Sequence, residues 1–218
     1  MSFTVEGTVV SNVNEAYCFA AWCNPFEIFK AELSSSDSEK KAVYAIAMRG
    51  TDSSWDKENP LSIPVCLLAA CARDNSYLRL MKKMISEYIP KGSDLVFIGH
   101  SLGGMISQQL GADEEIRNSY KILNILSIGS PYVVFAGKKC PLRRMATVSD
   151  VIPNAFGLLG FFNYFAGDVI HENTGYFFNP LGAHCDSYEK EDAWKKYDCF
   201  GIENGGHSLE ITEIIYKK

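Results

Sequence analysis

Apolar and polar positions alternate along the chain at two different periods. Residues 4–10 alternate loosely and read as an edge strand or hairpin arm. From Asn14, the residues Glu15, Ala16, Phe19, Ala20 and Trp22 make a mostly apolar helical segment that Pro25 ends. The polar stretch 34–41 reads as the tip of a hairpin. Residues 42–48 then form a nearly continuous apolar run, the mark of a strand buried on both faces. Residues 61–74 mix apolar side chains with Pro64, Cys66 and Cys71, and read either as a flap or as the first turns of the next helix. From 77 to 89, Leu78, Leu80, Met81, Met84, Ile85 and Tyr88 recur at helical spacing until Pro90 and Gly92 stop them. Further strands are predicted at 94–98, 121–128 and 145–148. Strands alternating with helices predict an α/β domain with a mostly parallel central sheet and helices on both faces.

Composition narrows the class. The 218 residues suit one domain, 1–218, with a substantial core. The hydrophobic fraction of 47% and charged fraction of 22% are ordinary for a globular protein. A net charge of −5 without a Lys/Arg run argues against nucleic acid as a partner. No apolar stretch reaches membrane-span length, and the first residues carry no basic and apolar leader. A cytoplasmic protein, or one delivered without an N-terminal signal peptide, is therefore expected. The seven cysteines (18, 23, 66, 71, 140, 185 and 199) lack metal-site spacing and read as reduced thiols.

The chemistry centres on residues 94–107. A short apolar run meets Gly99-His100-Ser101-Leu102-Gly103 and continues into a helical segment, Met105 to Leu110. This is the G-x-S-x-G pattern, in which a sharp strand-to-helix turn exposes a serine. The glycines let strand and helix pack closely, while the helix start aims the Leu102 N–H at any oxyanion formed on Ser101. His100 is expected to support the turn. Arg49-Gly50-Thr51 ends the strand at 42–48, so the Thr51 N–H and hydroxyl are candidates for the second oxyanion donor.

A serine nucleophile needs a base, and the base needs a carboxylate to orient it. Asp150, just past the strand at 145–148, is the candidate acid. His171, His184 and His207 all follow it, and each remains a possible base on these grounds. No metal and no cofactor are expected.

Four blocks, Arg49-Gly50-Thr51, Gly99 to Gly104, Gly129-Ser130-Pro131 and Asp150-Val151-Ile152-Pro153, occur in an order that resembles the class 3 lipases. The resemblance covers roughly residues 42 to 190. It implies an α/β-hydrolase fold and hydrolysis of acyl esters in lipids, acylglycerol or phospholipid. It also implies Ser101 as nucleophile, Asp150 as acid, and Thr51 with Leu102 as the oxyanion hole. The family's last block is a histidine followed by an aromatic residue, which His184 and Tyr188 match and His207 matches in part. Residues 171–178 look like the family strand that precedes it, leaving His184 as the base and His207 as the alternative. The tail from Asp192 has no counterpart.

Residues 157–167 carry no charge and hold Leu158, Phe161, Phe162, Tyr164 and Phe165. They read either as core or as a glycine-hinged flap, residues 158–165 of which would touch a membrane or micelle surface. Two other readings accompany the lipase one. A small-ester carboxylesterase or thioesterase would differ in chain-length preference, and an inactive hydrolase-fold binding module would fail to label at Ser101.

Overall fold

A computed structural model describes residues 5–35, 38–52, 54–56, 58–133, 141–153 and 169–217. The strands are β1 (Val9–Val10), β2 (Phe26–Ser35), β3 (Ser38–Met48), β4 (Asp94–His100), β5 (Lys121–Ile128), β6 (Leu142–Thr147), β7 (Val169–Glu172) and β8 (Ser208–Tyr216). They form one eight-stranded sheet in the order β1-β8-β2-β3-β4-β5-β6-β7. Pairing is parallel from β3 through β7 and antiparallel among β1, β8, β2 and β3. The helices are α1 (Val13–Ala21), α2 (Ile63–Ala70), α3 (Ser76–Tyr88), α4 (Leu102–Ala112), α5 (Glu114–Ser119), α6 (Pro180–His184) and α7 (Asp186–Lys190). This is an α/β architecture.

Strand alternation divides the core in two. Val43, Ala45, Ala47, Val96 and Ile98 join one cluster with Ala16, Tyr17 and Ala20 of α1. Ile46, Met48, Leu95 and Phe97 face the other, beneath α2, α3 and α4. Both faces are thus covered, and that explains the unbroken apolar run of β3. Each fully buried Val, Leu, Ile or Phe contributes about 1.5–3 kcal/mol.

α4 runs through the core, buried from Leu102 to Gly111. Its polar side chains are all engaged. Gln108 donates to Ser127 Oγ (3.1 Å) and to the Pro131 carbonyl (3.0 Å), and accepts from Val133 N–H (2.9 Å). Gln109 donates to the Arg73 carbonyl and accepts from Asn75. Buried amides satisfied on both ends tie the helix to the loops around it. A Cβ on Gly103 would lie 2.1 Å from the Met48 carbonyl oxygen, so the end of β3 and the start of α4 meet through a missing side chain. Gly103→Ala should therefore lower stability by about 3 kcal/mol or more. The urea midpoint reads this directly, and a wild-type midpoint would contradict it.

Several expectations change. Of residues 4–10, described from Val5 onward, Val9–Val10 form β1, an edge strand as expected but only two residues long, with Gly7 in a turn. Residues 61–74 are not the first turns of the next helix. They form the separate helix α2, which Cys71 caps and Ala72 ends in a left-handed conformation (φ 54°) before α3 begins. The strand expected over 171–178 stops at Glu172. The tail from Asp192 contributes β8, inserted between β1 and β2. Leu209 and Ile211 of β8 point into the core, while Glu210 sits opposite Glu32 with Lys40 Nζ 2.9 Å from both carboxylates. Residues 157–167, including the flap candidate 158–165, lie outside the described residues, as all of 154–168 does. No described helix is long and apolar enough to cross a membrane.

Candidate active site

Ser101 occupies the turn between β4 and α4 with φ 53° and ψ −118°. A non-glycine residue there carries backbone strain of about 1–3 kcal/mol, tolerated only where its surroundings impose it. Here Ser101 N–H donates to the Ile128 carbonyl (2.9 Å), and the Ser101 carbonyl accepts from Gly104 (3.1 Å) and Met105 (3.2 Å). The side chain consequently stands at the carboxyl end of the sheet, at the positive end of α4.

Two other segments converge on it. Asp150 lies three residues past β6, in a turn closed by its N–H to the Thr147 carbonyl (3.1 Å). His184 ends α6, a short helix that Asn179 and Pro180 start: Asn179 Oδ1 accepts from Gly182 N–H (2.9 Å). His184 Nε2 is 3.0 Å from Ser101 Oγ, and its Nδ1 is 3.1 and 3.0 Å from the two Asp150 oxygens. The Asp150 side chain is completely buried and that of His184 nearly so. With Nδ1–H given to the carboxylate, Nε2 presents its lone pair to the serine hydroxyl.

Supporting contacts fix both partners. Tyr188, one helical turn beyond His184, donates its phenol to Asp150 Oδ2 (2.8 Å) and accepts from Thr147 N–H (3.2 Å). Ile152 N–H donates to Asp150 Oδ1 (2.9 Å). Gly129, at φ 57°, gives this group room: a Cβ there would lie 3.0 Å from the Tyr188 ring and 3.1 Å from Asp150 Oδ2. The sequence offered Tyr188 as an aromatic following His184, without its bond to the acid.

His100 does more than support the turn. Its Nε2–H donates to the His184 carbonyl (3.1 Å), and Tyr17 packs edge-on against its ring. Burial, and then the neighbouring His184, hold its pKa well below the ordinary 6.5. The unfolded chain therefore binds a proton that the folded chain refuses. The stability this represents is present above about pH 6.5 and is lost as pH falls. The urea midpoint should decline from about pH 7 to about pH 5, and decline less in His100→Gln. Equal slopes in the two proteins would contradict the assignment.

Thr51 follows β3 and lines the cleft with Ser101, His184, Arg49, Tyr17 and Trp22, around a space of about 350 Å³. Neither Thr51 N–H nor Leu102 N–H has an acceptor among the described residues. Thr51 Oγ1 is buried without a hydrogen bond of ordinary length. It is near enough to the Cys66 thiol to lower that group's pKa, against the larger effect of burial, which raises it. Free donors beside the serine are what an oxyanion requires.

His207, the alternative base, belongs elsewhere. Its Nδ1 lies 2.5 Å from Asp198 Oδ2, and its ring stacks on Phe200 at 4.8 Å. Asp198 also accepts from the backbone N–H of Phe200, Ile202 and His207, so this pair closes the loop leading into β8. His171 sits on β7, its pKa lowered by burial and then by Arg144. All six described cysteines are free thiols. Among the described residues no group of three His, Cys, Asp or Glu side chains is placed to hold a metal ion.

Comparison with family models, curated proteins and solved structures finds no match to this chain.

Proposed function

We propose that this protein is a serine hydrolase that cleaves acyl esters of lipids, on an α/β-hydrolase fold of the class 3 lipase kind. One observation carries the reading: the relay from Ser101 Oγ through His184 to Asp150, with each step at 3.0 to 3.1 Å. In this reading His184 Nε2 takes the Ser101 proton as the oxygen attacks the ester carbonyl. Thr51 and Leu102 N–H groups hold the resulting oxyanion. His184 then passes its proton to the departing alcohol, and water, activated by the same imidazole, releases the fatty acid from Ser101. Asp150 stays ionised throughout and offsets the imidazolium charge.

The surroundings favour a lipid over a small soluble ester. Phe177, Phe178 and Leu181 are 59%, 103% and 76% exposed and immediately precede His184. Leu181 also lines the cleft. An exposed apolar side chain in the lining of a site, as Leu181 is, suits an amphiphilic substrate or its surface.

The test is labelling with a fluorophosphonate followed by product analysis on mixed lipids and a chain-length series of esters. Labelling of wild type at Ser101 and fatty-acid release from long-chain lipid esters are expected. Preference for short soluble esters or for thioesters would replace the lipase reading with its neighbour on the same scaffold. Absence of labelling would leave a binding module.

A further inference from the structure

A second cavity adjoins the catalytic cleft. It encloses about 440 Å³ and is walled by Val9, Val10, Phe19, Trp22 and Cys23, with Glu27 among the lining residues. Trp22 and Glu189 border both spaces, so the two adjoin. It holds none of the residues proposed for ester hydrolysis.

Its apolar character is interrupted in one direction only. The ionisable lining residues other than cysteine are Glu15, Glu27 and Glu189, and no lysine, arginine or histidine lines it. Glu15 is engaged by the N–H (2.6 Å) and hydroxyl (2.7 Å) of Ser11. Glu27 is different: it is 5% exposed, and its carboxylate accepts no hydrogen bond among the described residues. Lys217 Nζ, at 4.0 Å, is at the limit of an ion pair and is not part of the lining. Burial raises the Glu27 pKa, an effect Lys217 only partly opposes. A largely buried carboxylate with no hydrogen-bond donor among the described residues and an ammonium only at 4.0 Å gains from a closer positive charge.

We propose that this cavity is a binding site for a small organic cation with an apolar body, an alkylammonium, whose charge pairs with Glu27. Its alkyl part lies against Val9, Val10 and Phe19, and the Trp22 ring supplies a cation–π face. An alkyl chain alone would leave Glu27 with Lys217, 4.0 Å away and outside the lining, as its counter-charge, and an anion would meet three carboxylates. The site stands on its own cavity and charge, independently of the reaction at Ser101. Because Trp22 and Glu189 wall both spaces, a bound cation also forms part of the cleft's boundary.

Calorimetric titration with hexyltrimethylammonium, with hexanol and hexanoate as matched probes, tests this. Wild type should bind the cation saturably and at least tenfold more tightly than either matched probe. Glu27→Gln should weaken cation binding at least tenfold while melting at or above the wild-type temperature. Trp22→Ala, at a half-exposed position, should weaken it as well and serves if the Glu27 variant does not fold. Equal binding of hexanol, unchanged affinity in Glu27→Gln or in Trp22→Ala, or no saturable binding to wild type would each overturn the proposal.

Discussion

Ser101→Ala and His184→Ala are each expected to lower kcat about 10⁶-fold, and the double variant to lose no more than either alone. In the proposed mechanism the two side chains act as one unit. Without the imidazole at 3.0 Å the hydroxyl keeps its proton, and without the hydroxyl the imidazole has nothing to activate. The residual rate would come from oxyanion donors and substrate positioning. Neither change should unfold the protein. The backbone bonds of Ser101 to Ile128, Gly104 and Met105 do not involve its side chain, and alanine removes only the hydroxyl. Steady-state kinetics on a chromogenic ester, with unfolding midpoints measured alongside, check this. His207→Ala is the informative control, because its partner Asp198 belongs to the loop before β8. It should leave kcat within about twofold and shift stability instead. Retention of more than about 1% activity in His184→Ala, or its loss in His207→Ala, would displace His184 as the base.

What the chain reveals of itself depends on how local the determinant is. The strand–turn–helix at Ser101 is written in consecutive residues, and β3, β4 and β5 show as apolar runs because the sheet buries them on both faces. β8 was harder to see. Leu209, Glu210 and Ile211 alternate, but register shifts beside Phe29 and Ala31 break the period, so Ile214 rather than residue 213 shares the face of Leu209 and Ile211. Insertion between β1 and β2 is a long-range pairing that no local pattern encodes. The three histidines after Asp150 differ for the same reason. Each carries the same chemistry, and only the fold decides that α6 brings His184 to Ser101 while the turn after Tyr197 brings His207 to Asp198. Tyr188 and His100 illustrate a further loss. Their residue types were visible, but a phenol bonded to Asp150 and an imidazole bonded to the His184 carbonyl are properties of assembled segments.

Asp150→Asn should lower kcat about 10⁴-fold near neutral pH with little change in KM or stability. The reason lies in how the carboxylate is held. Ile152 N–H fixes one oxygen and the Tyr188 phenol fixes the other, while His184 Nδ1 lies within 3.1 Å of both. An amide must turn its NH₂ toward one of these neighbours. Facing His184, it donates to Nδ1 and places the imidazole proton on Nε2, where it points at Ser101 and cannot accept from it. Turned the other way, it leaves the imidazolium without a compensating charge once proton transfer begins. Tyr188→Phe separates tautomer control from simple support. It removes one donor to the carboxylate and leaves the charge and the Nδ1 bond in place. Loss of one hydrogen bond to a charged group, about 1.5–3 kcal/mol, corresponds to a rate loss of roughly ten- to a hundredfold. The ordering Asp150→Asn far below Tyr188→Phe is therefore expected in kcat. Equal losses would mean that Asp150 acts only as a rigid prop for His184, and its charge would drop out of the mechanism.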